Sequence, residues 1–208
     1  MICLELFSGT HSVGKVLERL GHKVVSLDLK GATINVDILK WDYKVYPPNH
    51  FDYIHASPPC DTFSICRRSW IGRQLRAHGT TTITKEILDN DERTIGLVIL
   101  NKTLEIIDYF KPKFYTIENP KSGNMKKYIT TIPYTDVEYC AYGFPNKKPT
   151  RIWNNFGFEG KTCDGTHEHI GWDLLPTTKA YRYKIPERLI EDWLITISQS
   201  NFIIAECL

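Results

Sequence analysis

The sequence predicts a single α/β domain built on a doubly wound, mostly parallel sheet. Three observations predict it. Short apolar runs bounded by turn residues recur at Ile2 to Leu6, Val24 to Leu27, Tyr53 to His55 and Phe114 to Ile117. Helical periodicity fills several of the gaps between them. No internal repeat, low-complexity tract or long linker offers a boundary for a second domain. A chain of 208 residues buries roughly 70% of the surface its unfolded form exposes, so residues 1–208 are expected to share one core.

The elements follow in order. The run Ile2 to Leu6 reads as a first strand, and Phe7-Ser8-Gly9-Thr10 as the turn after it. A second strand ends at Asp28, about twenty residues past the glycine, the spacing at which doubly wound sheets place an acid near a ligand's ribose. Phe51 to Ser64 reads as a strand whose end passes through Ser57-Pro58-Pro59 to Cys60. Rigid prolines would present that thiol at the ligand-binding edge of the sheet; taken alone, the pattern better fits a turn before a buried structural cysteine. From Arg67 to Thr84 there is no apolar period. Arg67, Arg68, Arg73 and Arg76 accumulate there with Trp70, two glycines and a threonine cluster, which reads as a mobile basic loop. Asp89 and Glu92 stand at capping-box spacing and predict a helix start, with Ile95, Ile99, Ile106 and Phe110 on its buried face and Pro112 ending it. Phe114 to Ile117 follows as a strand delivering Glu118 and Asn119 to the same edge. Pro186 opens a last amphipathic helix with Leu189, Ile190, Trp193, Leu194 and Ile197 on one face.

Composition excludes some classes. Hydrophobic content is 42% and charged content 24%, and no apolar run has the length to span a bilayer, so membrane insertion is not expected. The start Met1-Ile2-Cys3-Leu4-Glu5-Leu6 is too short and acidic for a signal peptide. Six scattered cysteines then read as reduced thiols of an intracellular protein, cytoplasmic or nuclear. A net charge of +2 says little about nucleic acid, because phosphate binding depends on local patches. Cys163, His167 and His169 have irregular spacing and read as surface polar residues, so no metal is expected.

A thiol paired with a carboxylic acid is what addition to a pyrimidine requires. Carbon 6 becomes electrophilic only when ring nitrogen 3 is protonated or strongly hydrogen-bonded. Taken in register, the motifs resemble the C5-cytosine DNA methyltransferases, particularly the short forms of large DNA viruses. Phe7-Ser8-Gly9 resembles the family's first cofactor motif, and Pro59-Cys60-Asp61-Thr62-Phe63-Ser64 its nucleophile motif. Glu118-Asn119 resembles its Glu-Asn pair, Tyr142-Gly143-Phe144-Pro145 through Arg151-Ile152-Trp153 its Gly-x-Pro motif and arginine strand, and Ile185-Pro186 its closing motif. The resemblance implies the S-adenosylmethionine-dependent methyltransferase fold, S-adenosylmethionine as cofactor, and transfer to carbon 5 of a flipped-out cytosine in DNA. Cys60 is implied as nucleophile, Glu118 as acid, and Arg151 as the cation that holds the base and lowers the thiol pKa. It further implies cofactor contacts from Phe7, Ser8, Gly9, Thr10, Asp28 and Leu29, from Asp37 and Ile38, and from Ser57 and Pro59. Arg67, Arg68, Arg73 and Lys148 are the candidates for contacts to DNA.

The chain departs from the family pattern in several places. His11-Ser12 replaces the first motif's usual glycines, Pro120 a valine, Asn146 a glutamine, and Tyr183 the closing motif's asparagine. Lys148 replaces the first arginine of the pair, and Arg151 reaches the second only with a one-residue slip. Only Ile152 to Lys184 is available for target recognition, which predicts a short target site or a partner, a second copy included, that supplies recognition. Other readings stay open: a transfer RNA substrate, a silent binding protein, and an enzyme acting on exocyclic amines, whose Ser-Pro-Pro-aromatic motif Ser57-Pro58-Pro59 also resembles.

Overall fold

The computed structural model describes residues 1–75, 78–166, 168–171, 174 and 178–206. Arg76, His167 and Cys207 lie outside them. The strands are β1 (Ile2–Leu6), β2 (Lys23–Asp28), β3 (Ile34–Asn35), β4 (Tyr53–Ala56), β5 (Phe114–Pro120), β6 (Tyr134–Glu138) and β7 (Pro149–Asn154). They form one seven-stranded sheet in the order β3-β2-β1-β4-β5-β7-β6. The first five in that order pair parallel, and β7 runs antiparallel to both its neighbours. Strand order therefore reverses between β1 and β4, which makes the carboxyl ends of these strands the place for a ligand.

The helices are α1 (Ser12–Arg19), α2 (Lys85–Asp91), α3 (Leu97–Phe110), α4 (Lys179–Tyr183) and α5 (Glu187–Glu206), with a π turn at Glu92–Gly96 joining α2 to α3. Alternation along the strands builds two cores. Cys3, Tyr53, Phe114 and Ile152 point to one face, where Val13, Val16 and Leu17 of α1 meet Leu189, Ile190, Trp193 and Ile197 of α5. Leu4, Leu6, Ile54, Ile117 and Trp153 point to the other, against Leu100, Ile106, Ile107 and Phe110 of α3. This is the single-domain, doubly wound arrangement that the sequence predicts. Among the described residues, no helix is long and apolar enough to cross a membrane.

Two local expectations are corrected. The helix begins at Thr84, whose hydroxyl accepts from the Ile87 amide at 3.3 Å, so Asp89 is interior and pairs with Lys85 at 2.8 Å. The π turn then inserts an extra residue and rotates the buried face. Leu88, Glu92, Gly96, Leu100 and Thr103 turn inward while Ile95, predicted buried, is 49% exposed. Likewise, the basic segment is not an unstructured loop. A 3-10 helix spans Ile65–Trp70, and Gly72 and Arg73 exchange backbone hydrogen bonds with buried Ile83.

Trp193 ties α5 to the sheet centre by stacking on His55 of β4 at 5.6 Å and 19°. The residue is fully buried. Trp193→Ala is expected to cost about 3–5 kcal/mol, and Trp193→Phe, which keeps a flat ring over the imidazole, clearly less. Urea unfolding at constant m-value checks this; an Ala variant within about 1 kcal/mol of wild type would contradict the packing.

Candidate active site

The turn after β1 is held in a strained form. Phe7 and His11 both adopt the left-handed conformation, with φ of 60° and 58°, which costs on the order of 1 kcal/mol or more at each non-glycine residue. Backbone bonds hold it: the Ser8 amide donates to the Leu27 carbonyl at 3.1 Å, and the His11 amide to the Ser8 carbonyl at 2.6 Å. Asp28, at the end of β2, accepts from the Gly9 amide at 2.9 Å and the Leu29 amide at 2.7 Å. The carboxylate thereby closes the turn and retains further acceptor capacity. His11 also accounts for the missing glycines. Its ring lies against Gly14, where an added Cβ would sit 2.0 Å from Cε1, and it pairs with Glu5 and Glu18. Those acids, the hydrogen bond from Glu5 foremost, raise its pKa.

Of the other residues singled out for this edge, Thr10 is half-buried and its hydroxyl meets that of Ser12 at 2.8 Å. Asp37 caps the turn after β3 by accepting from the Leu39 amide at 3.0 Å. Leu29 is exposed, and Ile38 is buried in the α3-side core. Pro59 is exposed. The Ser57 hydroxyl meets His55 Nε2 at 2.9 Å, and His55 Nδ1 meets the Thr116 hydroxyl at 2.8 Å. Burial holds that imidazole down at a pKa of about 3, so it is a neutral strut between β4 and β5.

Cys60 and Glu118 leave the carboxyl ends of adjacent strands. Ala56 of β4 pairs with Ile117 of β5, one residue before Glu118. The Asn119 side-chain amide donates to the Pro58 carbonyl at 2.8 Å and clamps the loop carrying Cys60 to the strand carrying Glu118. Glu118 is 7% exposed and accepts from the Tyr139 hydroxyl at 3.1 Å. Tyr139 is fully buried, and burial with the adjacent carboxylate keeps its phenol protonated, as a donor must be. Lys148 Nζ lies 4.6 Å from the Tyr139 ring centre and donates to the Arg182 carbonyl at 2.9 Å. Burial, then the charges of Glu118 and Asp61, push the Cys60 thiol up to about 11, and Lys148 opposes them. Tyr183 of α4 is near enough to Asp61 and Cys60 that, after burial, their charges raise its own phenol.

Two predicted cations are placed elsewhere. Arg151 lies on the β7 face that carries Trp153, while Glu118 meets Tyr139 on the other face. Its guanidinium grips both Asp136 oxygens at 2.7 and 2.9 Å and covers the Tyr134 ring. It does not stand by the thiol; the cation acting on Cys60 is Lys148, which the sequence reading assigned to DNA. Arg67 is buried, forms an ion pair with Asp91 and stacks on Trp70, so a phosphate contact would first have to break that pair. Arg68 and Arg73 are exposed. Tyr139 escaped sequence reasoning, because it stands three residues ahead of the Tyr142-Gly143-Phe144-Pro145 motif without belonging to it and only the fold brings it to Glu118.

No family model matches the chain. A protein of Frog virus 3 (isolate Goorha) named "Probable DNA (cytosine-5)-methyltransferase" is 39% identical over 218 residues, covering 93% of this chain and 99% of the viral one. The chain belongs to the DNA (cytosine-5)-methyltransferase family. Among solved structures, the Entamoeba histolytica methyltransferase EhMeth superposes with a TM-score of 0.53 at 16% identity, covering 78% of this chain and 56% of that one. A Spodoptera frugiperda DNMT2 mutant gives 0.48 at 17% identity, covering 82% and 56%. The chain spans little more than half the length of these two structures, and the likeness to EhMeth is one of fold.

The raised Cys60 pKa sets a sign. The thiol is protonated near neutral pH, so its alkylation by iodoacetamide is expected to climb about tenfold per unit from roughly pH 7 to 9. Glu118→Gln removes a charge that disfavours the thiolate and should speed the reaction at fixed pH; Lys148→Met should slow it. Peptide mass mapping separates Cys60 from exposed Cys66. A plateau near pH 7 would contradict this electrostatic account.

Proposed function

We propose that this chain transfers a methyl group from S-adenosylmethionine to carbon 5 of cytosine in DNA, with Cys60 as covalent nucleophile. The observation that carries the reading is the clamp: adjacent parallel strands, locked by the Asn119 to Pro58 hydrogen bond, deliver a thiol and a buried carboxyl to one sheet edge. The cofactor fits the edge beside it. The Gly9 turn is open, an added Cβ there meeting nothing nearer than the Phe7 carbonyl at 3.8 Å, and half-buried Phe7 and the Asp28 carboxylate flank it. When bound, S-adenosylmethionine supplies an electrophilic methyl and a positive charge.

The chain's own groups then divide the work. The target cytosine has to leave the duplex, since carbon 6 is unreachable within the stack. Glu118 binds ring nitrogen 3 and the exocyclic amine, which makes carbon 6 electrophilic; Cys60 adds there, and the electron pair this displaces onto carbon 5 makes that carbon nucleophilic toward the methyl. Tyr139 positions Glu118 by holding Oε1, leaving the second oxygen for the base. Lys148 offsets part of the penalty on the thiolate. Loss of the carbon 5 proton later expels the thiolate. Arg68 and Arg73, both exposed, are the proposed contacts to phosphates. With so little chain between β7 and α4, recognition is confined to a few bases or shared with a partner.

DNA carrying 5-fluorocytosine tests the covalent step, because fluorine cannot leave as a cation and elimination stalls. A band surviving denaturing electrophoresis is expected with wild type and cofactor, and absent with Cys60→Ser, whose hydroxyl is far less ionised. Glu118→Ala should lower turnover on ordinary DNA by about 10²–10⁴. Turnover of ordinary DNA without any trapped band would overturn the role of Cys60.

A further inference from the structure

Away from the Cys60 edge, Cys140, Cys163 and His169 converge so that their ligand atoms all lie within 4.8 Å of one another. We propose that these residues bind a structural zinc ion that staples the segment after β7 to the turn after β6. Geometry supports the assignment. A tetrahedral zinc with its usual bond lengths holds a sulfur and a nitrogen roughly 3.5 Å apart, and Cys163 Sγ lies 3.4 Å from His169 Nε2. Two thiols and an imidazole form a soft donor set that selects zinc over magnesium or calcium.

The backbone prepares the cluster. Cys140 is buried in the 3-10 turn Tyr139–Tyr142. Cys163 is brought beside it by a ladder of bonds. Gly160 donates to the Thr135 hydroxyl at 3.0 Å, Lys161 to the Tyr142 hydroxyl at 2.7 Å, and Cys163 itself to Glu138 at 2.8 Å, two residues before Cys140. Gly165 then takes a φ of 79°, which only glycine adopts readily, and its amide points at Cys163 Sγ from 3.3 Å. Asp164 tightens the turn by accepting from both the amide and hydroxyl of Thr166, and His169 is followed by a bond from the Ile170 amide to the Pro145 carbonyl at 2.9 Å.

Past Cys163, the described residues of this segment form no apolar core of their own. Asp164, Gly165, Thr166, Glu168, His169 and Ile170 are all exposed. Small folded units of this kind commonly depend on a metal for the stability that burial does not supply. The staple sits where a target-recognition region is missing, and its inner end is the turn that begins with Tyr139, the donor to Glu118. Sequence spacing alone did not reveal it, since Cys140 lies 23 residues before Cys163 and the strand β7 intervenes.

The test uses the full chain, purified under reducing conditions after growth with added zinc. Elemental analysis is expected to give about one zinc per chain, and cobalt substitution the thiolate charge-transfer absorption of a tetrahedral site. Cys163→Ser and His169→Ala, both on the segment's surface side, should each weaken zinc at least about tenfold in chelator competition, with far-ultraviolet circular dichroism unchanged. Cys66→Ser, at an exposed position outside the cluster, should retain it. Zinc below about 0.1 equivalent with no cobalt charge transfer, zinc retained fully in Cys163→Ser, or a Cys140–Cys163 disulfide in the reduced preparation would each overturn the proposal. None of these readouts depends on methyl transfer.

Discussion

The hydrogen bond from the Asn119 amide to the Pro58 carbonyl is the constraint on which the rest of this site depends. A parallel sheet brings the ends of β4 and β5 together but leaves the loops beyond them free to diverge. Pro58 and Pro59 limit the backbone on one side, and Asn119, buried at 1% exposure, limits it on the other. With both fixed, the thiol and the carboxyl share one reference frame, which is what the proposed roles of nucleophile and acid on a single small ring would need. Gly96 completes the enclosure. A Cβ there would meet Thr62 Oγ1 at 2.3 Å and Phe63 Cζ at 3.0 Å, so the π turn exists at the point where helix and nucleophile loop press together.

Electrostatics follow from the same burial. Burial disfavours the Cys60 thiolate, and among the described residues the cation that opposes this is Lys148, held over Tyr139 and tethered to the Arg182 carbonyl. Beneath it, His55 stays neutral and uses both ring nitrogens on hydroxyls, joining β4, β5 and the Ser57 loop without adding charge. The strained turn at Phe7 and His11 is paid for by the bonds of Asp28 and Leu27. Asp28, His55, Ser57, Lys148 and one oxygen of Glu118 thus each have a partner that fixes protonation or direction, whereas the buried Asn119 Oδ1 has none among the described residues.

The sheet was legible because its strands are short apolar runs punctuated by turns, and Cys60 and Glu118 because they stand just where such runs stop. Charge partners were not legible. Arg151 reads as a family arginine until β6 lays Asp136 beside it, and Arg67 reads as a basic-loop residue until α2 supplies Asp91. Both pairings are long-range contacts with no local signature. Ile95 was misread for another reason: a π turn breaks the 3.6-residue period on which helical faces are counted. Tyr139 and Cys140 belong to no motif, and only the fold brings the Tyr139 hydroxyl to Glu118 of β5 and Cys140 to Cys163 beyond β7.

The central claim is a reaction at carbon 5 of cytosine in DNA driven by Cys60. Nucleoside mass spectrometry on DNA and RNA from cells that lack their own cytosine methylation and express this chain tests it most directly. The account predicts 5-methylcytosine in DNA with wild type and none with Cys60→Ser. A methyl group on an exocyclic amine, 5-methylcytosine confined to RNA, or the DNA mark persisting in Cys60→Ser would contradict it.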